Sequence, residues 1–194
     1  MTDKKSEIRS PRERFLATTM RLVWELDDDK EGALSRGDLA MLRREDGTRS
    51  PTFYKLAALV LHEELEPFRS EELLSEAERR WARVVHLMAC TSGQHRAGAS
   101  RFGAALANVE LAESRLLRLL RAEGEAIDAA ARAVLAPLVQ KAAFFDPVDL
   151  AALILSAPHP KCSFHYEDGD QVRRRIARDF YRAESKSNES SIAS

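Results

Sequence analysis

Arginine spacing carries the clearest chemical meaning in this chain. Arg115, Arg118 and Arg121 recur at steps of three within Ser100 to Glu123, SRFGAALANVELAESRLLRLLRAE. Residues three apart are neighbours on a helix surface, so the three guanidinium groups form a ridge. Beside it run Leu116, Leu119 and Leu120, with the i, i+3, i+4 spacing of a core contact. A guanidinium fork grips two phosphate oxygens at once, where lysine offers a point charge. Arginine also heavily outnumbers lysine here. The ridge is therefore either a solvated face or a track for phosphates. No aromatic ladder accompanies it, so any contact would be to a strand's backbone, independent of sequence and sensitive to salt.

The other arginines fall in groups. Arg43 and Arg44 end a short helical stretch after Gly37, Arg101 precedes Phe102-Gly103, and Arg132 lies on the helix after the ridge. Arg173, Arg174, Arg175, Arg178 and Arg182 crowd the last helix and point several ways around it. Some of these are expected to pair with Asp179 or with the acidic Glu63 to Glu78 region. Singly, each arginine reads first as a solvated or salt-bridged surface residue; the set says more.

Catalytic chemistry finds little footing. His62-Glu63-Glu64-Leu65-Glu66 lacks the second histidine of H-E-x-x-H, and there is no P-loop, G-x-G-x-x-G or G-x-S-x-G. Asp27-Asp28-Asp29 are adjacent carboxylates at a helix end, whereas a hard cation needs ligands from several directions. His159, Cys162 and His165 are spaced by three in a loop and resemble zinc spacing. A structural zinc normally takes four ligands, and the fourth would have to come from Cys90, His86 or His95. The simpler reading is a loop that happens to carry these residues. No catalytic residue, metal or cofactor is assigned.

The chain has 194 residues, 44% hydrophobic and 31% charged, with a formal charge of -1. That excludes a disordered chain and any global basic field. Charge is nonetheless separated: Leu61 to Glu78 carries seven acids against the single base Arg69. A neutral total with separated signs suits a part that docks on other components. Two cysteines, Cys90 and Cys162, make no disulfide framework. No signal-peptide pattern or bilayer-length apolar run is present, so a reducing cytoplasm and no membrane contact are expected.

The elements that must position these residues read as helix after helix. Pro11 opens the first, with Phe15, Leu16, Met20, Val23 and Trp24 as its stripe. Ser35-Arg36-Gly37-Asp38 has the form of a capping box, which explains its Arg-Gly-Asp tripeptide, and Ser50-Pro51 starts another helix running to Pro67. Ser75 and Glu78 suggest a second capping box before Trp81, Val84, Val85 and Met88. Thr91 to Ser100 is the most loop-like interior stretch. Helices are then expected over Phe102 to Ala107, the Leu-Arg segment, Glu125 to Lys141, and from Asp146-Pro147. A last one is capped by Asp170, with Val172, Ile176 and Phe180 inward. The reading is all-α: a helical lobe over 1–95, a second over 96–183, and a disordered Ser-rich tail over 184–194.

Several motifs in order carry a resemblance. Arg-Gly-x-x-Ala-x-Leu-Arg-Arg (Arg36 to Arg44) is followed by Pro51, Phe53, Tyr54 and Leu56. Phe-Gly-x-Ala-Leu-Ala (Phe102 to Ala107) and Glu-x-Arg-Leu-Leu-x-Leu-Leu-Arg-Ala (Glu113 to Ala122) come next. Asp-Pro-x-Asp-Leu and Ala-Arg-Asp-Phe-Tyr (Ala177 to Tyr181) complete the series. In this order and spacing, over residues 12 to 183, the chain resembles the CasB family, the small subunit of the type I-E CRISPR Cascade surveillance complex.

The resemblance implies a non-catalytic protein of two helical lobes. It would dimerise with a second copy along a crRNA-bearing filament of Cascade backbone subunits, beside the large subunit. A basic face would help hold the displaced DNA strand and contact the target strand, while guide pairing reads sequence. Carried over by position, Arg36, Arg43 and Arg44 match the first motif, and Arg115 and Arg121 the ridge motif, with Arg118 adding charge. Relatives often have Gly-Arg where this chain has Gly103-Ala104, with Arg101 nearby as a substitute. Relatives also often carry Trp near Ile176 and Ala157, which this chain lacks. The candidate nucleic-acid contacts are Arg36, Arg43, Arg44, Arg101, Arg115, Arg118, Arg121 and Arg132. Two other classes stand beside this: a helical adaptor that meets only acidic protein surfaces, and a metal enzyme using the His159/Cys162/His165 loop. The adaptor would show no salt-dependent affinity for single-stranded DNA.

Overall fold

Local hydrogen bonds decide where the first helices begin. The computed structural model describes residues 10–27, 32–44, 47–164 and 167–192. Helix α1 (Pro11–Glu25) starts on a capping box: Ser10 Oγ accepts from the Glu13 amide at 3.3 Å, and Glu13 accepts from the Ser10 amide at 2.8 Å. Helix α2 (Arg36–Arg44) does the same with Ser35 and Asp38, at 2.9 and 3.2 Å. The Arg-Gly-Asp tripeptide is thus a helix start. Lys55 also reaches Asp38 at 3.2 Å; the Ser35 hydrogen bonds, more than Lys55, hold the Asp38 carboxyl below its usual range.

Helix α3 (Pro51–Leu56) leads through a π-helical turn, Ala57–Leu61, into α4 (His62–Leu65), so the expected continuous helix has a local change of winding. Helix α5 (Glu71–Cys90) begins earlier than the Ser75/Glu78 motif suggests. Ser70 is its cap, accepting from the Leu73 amide at 3.3 Å, and Ser75 lies a turn inside. Helices α6 (Phe102–Asn108), α7 (Glu113–Arg121), α8 (Ala126–Gln140) and α9 (Val148–Leu155) follow. Helix α10 spans Gly169–Ile192. Its first turn is held by Asp168, whose Oδ1 accepts from the Asp170 amide at 2.6 Å, rather than by Asp170. It also continues where a disordered tail was expected from Glu184, because extending an existing helix costs far less than nucleating one. Among the described residues there is no strand, and the fold is all-α.

The buried side chains form one apolar cluster that reaches from Phe15 on α1 to Phe180 on α10. Helix α5 contributes Trp81, Val84, Val85, Leu87 and Met88, and packs on α2, α8 and α9. Arg80 is buried in the same helix. It pairs with Glu76 at 2.8 Å, donates to the Leu155 and Ala157 carbonyls at 3.2 and 2.5 Å, and lies 4.2 Å over the Phe164 ring. It therefore caps the C-terminal end of α9, satisfying carbonyls that the helix leaves open.

The loop 91–101 is not a free linker. Phe145 donates to the Gln94 carbonyl at 2.9 Å, Arg96 to the Phe145 carbonyl at 3.1 Å, and Asp146 to the Ser100 carbonyl at 2.9 Å. His95 is edge-on to Phe145, and its Nε2 lies 2.7 Å from Thr91 Oγ1, which donates to the Leu87 carbonyl. The Thr91 oxygen then accepts from Nε2–H, which places the proton of the neutral imidazole on Nε2. Burial, opposed only weakly by Asp27, pulls the His95 pKa down to about 4.

The closest helix crossing is α6 on α10. A Cβ added at Gly103 would sit 2.1 Å from the Ile176 carbonyl oxygen and 3.1 Å from the Phe180 nitrogen. Gly103→Ala is expected to destabilise the fold by about 1–3 kcal/mol or more, since the obstacle is backbone and cannot repack; urea unfolding measures this. His95 gives a second expectation. Its folded pKa lies below the unfolded value, so its contribution is present above pH 6.5 and is lost as pH falls toward 4. The contribution is as much as about 3 kcal/mol. Stability of His95→Gln should fall less steeply than wild type over that interval, and identical slopes would exclude the linkage.

Candidate nucleic-acid interface

Helix α7 is amphipathic because leucines and arginines alternate at near-helical steps. Leu116 and Leu119 are fully buried and Leu120 packs half-buried against the same cluster. This fixes the rotation of the helix and sends Arg115, Arg118 and Arg121 outward, all exposed. Its start is tied to α10 by Tyr181, whose hydroxyl donates to Glu113 at 2.5 Å. Helix α8 returns alongside, after the short connection through Gly124, whose φ of 54° is one that glycine adopts without strain.

Between α7 and α8 lies an open groove in two parts, of about 680 and 410 Å³. Arg118 lines both parts, with Arg121 in one and Arg115 in the other. The facing wall is made of small side chains, Ala126, Ala129, Ala133 and Ala136, ending at Gln140. Among the described residues, none of the three arginines meets a carboxylate. The groove thus offers three cations on one side and a bare methyl wall on the other. It presents almost nothing that would read a base edge.

The remaining candidates do not join this groove. Arg43 turns inward: its Nε donates to the Ala89 carbonyl at 2.9 Å and its Nη2 to Ser92 Oγ at 2.5 Å, so it caps the end of α5. Arg44, the next residue, is exposed and lines a separate cleft. Arg132 lies in that same cleft, not in the groove, because α8 turns its Ala129/Ala133 face toward α7 and its Asp128/Arg132 face toward α5. Arg101 stands at the start of α6 and pairs with Asp179 at 3.3 Å. Arg36 is exposed at the start of α2, with no ion pair among the described residues.

The last-helix arginines pair closer to home than expected. Arg175 binds Asp149 at 2.7 Å and also Glu167, joining α10 to α9. Burial raises the Asp149 carboxyl, partly offset by Arg175, so this pair is held in place at a cost of desolvation. Arg173 lies 3.7 Å from Asp170. The acidic stretch is served instead by Lys161 on Glu72, Arg69 on Glu66, and Arg79 and Arg80 on Glu76. Arg79, Arg80 and Arg83 escaped the sequence reading; their only signal was three arginines within five residues, directly after the acidic Glu63 to Glu78 stretch.

Of the histidine–cysteine loop, His165 lies outside the described residues, as do Asp28 and Asp29. His159 accepts from the Lys161 amide at 3.3 Å and is edge-on to Phe164. No group of three or more metal-binding side chains occurs among the described residues. No helix there is long and apolar enough to cross a membrane.

Comparison with known proteins agrees with the motif reading. A family model described as CRISPR-associated protein Cse2 matches residues 38–181. The chain therefore belongs to the Cse2 (CasB) family. Its fold resembles that of a chain in the crystal structure of E. coli Cascade bound to a PAM-containing dsDNA target. The TM-score is 0.58 at 20% identity, covering 86% of this chain and 96% of that one. No curated protein matches it by sequence.

The two neighbouring arginines of α2 separate a structural role from a surface one. Arg43→Ala should cost about 1.5–3 kcal/mol, the range for hydrogen bonds to a charged group, whereas Arg44→Ala should stay within about 0.5 kcal/mol. Chemical unfolding of the two variants side by side checks this.

Proposed function

We propose that the protein is the non-catalytic small subunit of a crRNA-guided type I-E Cascade complex, and that its α7/α8 groove holds DNA backbone. The single observation that carries the reading is the ridge of Arg115, Arg118 and Arg121, exposed and without acidic partners, along a groove with a featureless opposite wall. Three guanidinium groups at 4.5 Å of helix rise per step, roughly, follow a flexible strand rather than one fixed phosphate. Contacts of this kind neutralise phosphates and release counterions without discriminating sequence, which suits a complex whose guide RNA does the reading.

In this reading the ridge retains the displaced strand after the guide pairs with its target, and so favours the open state of the duplex. Arg36, Arg44, Arg101 and Arg132 extend the basic surface toward the target strand and the partner subunits. Arg43 supports that surface from beneath. Partners are the crRNA-bearing backbone subunits, the large subunit and a second copy of the chain. Membership of the Cse2 family and the likeness to a Cascade chain support this assignment.

The triple variant Arg115→Ala/Arg118→Ala/Arg121→Ala tests it. Folding should be unaffected, since each side chain is exposed and each change should shift stability by no more than about 0.5 kcal/mol. Assembled Cascade carrying the variant should release its displaced strand faster. The slope of log affinity against log salt for single-stranded DNA should become shallower by about 2, at roughly 0.7 per phosphate contact. An unchanged R-loop lifetime would reduce the ridge to a solvated face.

A further inference from the structure

We infer that Cys90 and His86 form a reactive thiol–imidazole pair, a site where low-molecular-weight disulfides bearing carboxylates attach reversibly as mixed disulfides. Neither residue enters the nucleic-acid reading above.

Helix geometry sets the pair. His86 and Cys90 are four apart on α5, so their side chains share a face, and Cys90 is the last residue of the helix. The His86 Nε2 lies 3.7 Å from Cys90 Sγ. The other ring nitrogen, Nδ1, lies 2.8 Å from the Leu42 carbonyl of α2. A carbonyl only accepts, so Nδ1 donates, and in the neutral ring the free lone pair stands on Nε2, facing the thiol. A base held by a third group and aimed at a sulfur is the arrangement that activates a cysteine. The Cys90 hydrogen bond raises the His86 pKa against the effect of burial, and the Leu42 bond adds to it, which suits the ring to take the thiol proton. The thiol has one other acceptor, the Arg43 carbonyl, at the longer distance of 4.0 Å.

The surroundings are open and cationic, the setting in which thiols react. Cys90 is exposed. A sulfur at the C-terminal end of a helix ordinarily faces the negative end of the helix dipole. Arg43 offsets this, because its Nε donates to the Ala89 carbonyl at 2.9 Å and so stands at that end of α5. From α8, Arg132 Nη1 approaches His86 Nε2 at 3.4 Å. The cleft that His86 lines holds about 510 Å³, room for a small organic chain. Arg44, Arg79, Arg83 and Arg132 line it too, against Glu125 and Asp128, and Asp128 is engaged by Arg83 at 3.3 Å. A carboxylate carried in on a disulfide meets an excess of guanidinium groups there.

The exchange step balances with the disulfide RS–SR as its one co-reactant. Cys90 Sγ passes its proton to His86 Nε2 and attacks one sulfur of RS–SR. The Cys90–S–SR bond forms as the S–S bond breaks, and the electron pair leaves on RS⁻, which takes the proton from His86 to become RSH. The cysteine sulfur is oxidised and the departing sulfur reduced, and excess thiol reverses the step. Cys162 is the built-in contrast. It lines a recess with Glu123, Glu167, Asp168 and Asp170, beside His159 and Arg173. Among the described residues no base is hydrogen-bonded to its sulfur, and an anionic disulfide meets mainly carboxylates there.

The test uses the full chain in two single-cysteine forms, Cys162→Ser and Cys90→Ser, with absorbance of the released thiol as the readout. With neutral dithiodipyridine at neutral pH, Cys90 should react at least about ten-fold faster than Cys162. Adding His86→Gln to the Cys162→Ser form should remove most of that advantage. With anionic dithiobis(nitrobenzoate) the lead of Cys90 should widen, and added salt should narrow it again. Equal rates at the two cysteines overturn the inference without recourse to the His86 variant. So does a Cys90 rate that His86→Gln leaves unchanged with helical circular dichroism intact, which would make exposure alone the source of reactivity. A lead no wider with the anionic reagent than with the neutral one overturns the preference for carboxylates.

Discussion

Gly103 against the Ile176 carbonyl is the contact on which the C-terminal half turns. With no Cβ in the way, α6 lies backbone to backbone on α10, and Val172, Ile176 and Phe180 enter the core beneath it. The same seating brings Tyr181 to Glu113 and Asp179 to Arg101, which anchors the start of α7 and the start of α6 to one helix. The ridge of Arg115, Arg118 and Arg121 is then aimed outward by default, because Leu116 and Leu119 have nowhere else to go. A single small residue thus determines where three positive charges stand.

A comparable division of labour runs through the other arginines. Arg43, Arg80 and Arg175 act as internal clips: the first two bind carbonyls at helix ends, and the third binds carboxylates across a helix pair. Arg44, Arg79, Arg83 and Arg132 line an open cleft, and the ridge lines an open groove. The near-neutral formal charge of the chain is therefore compatible with two locally basic recesses. Its acids are spent elsewhere, many on lysines and arginines of the same surface.

Most helices were legible because a core stripe repeats every 3.6 residues and leaves its mark in any window. The α7 leucines and the Trp81 to Met88 stripe of α5 are cases in point. Helix starts were less so. Ser75-x-x-Glu78 has the form of a capping box, yet Ser70 without a reciprocal acid is the cap, because a cap is settled by which amide is free rather than by which acid is near. Asp168 and Asp170 repeat that lesson at α10. Outside the ridge, arginine direction was not legible. Arg43 and Arg44 are adjacent and alike in type, but only one meets the open end of α5, more than forty residues along the chain. Arg132 looked like an extension of the ridge, and only the packing of α8 on both α5 and α7 shows that it faces the other way.

The central claim is membership in an RNA-guided assembly, and affinity purification of the tagged chain from its own host tests it most directly. Recovery with a repeat-derived crRNA, a set of filament subunits and a large subunit is the expected result. Recovery with one unrelated protein and no RNA would contradict it, and would turn the groove and the cleft into surfaces for docking protein.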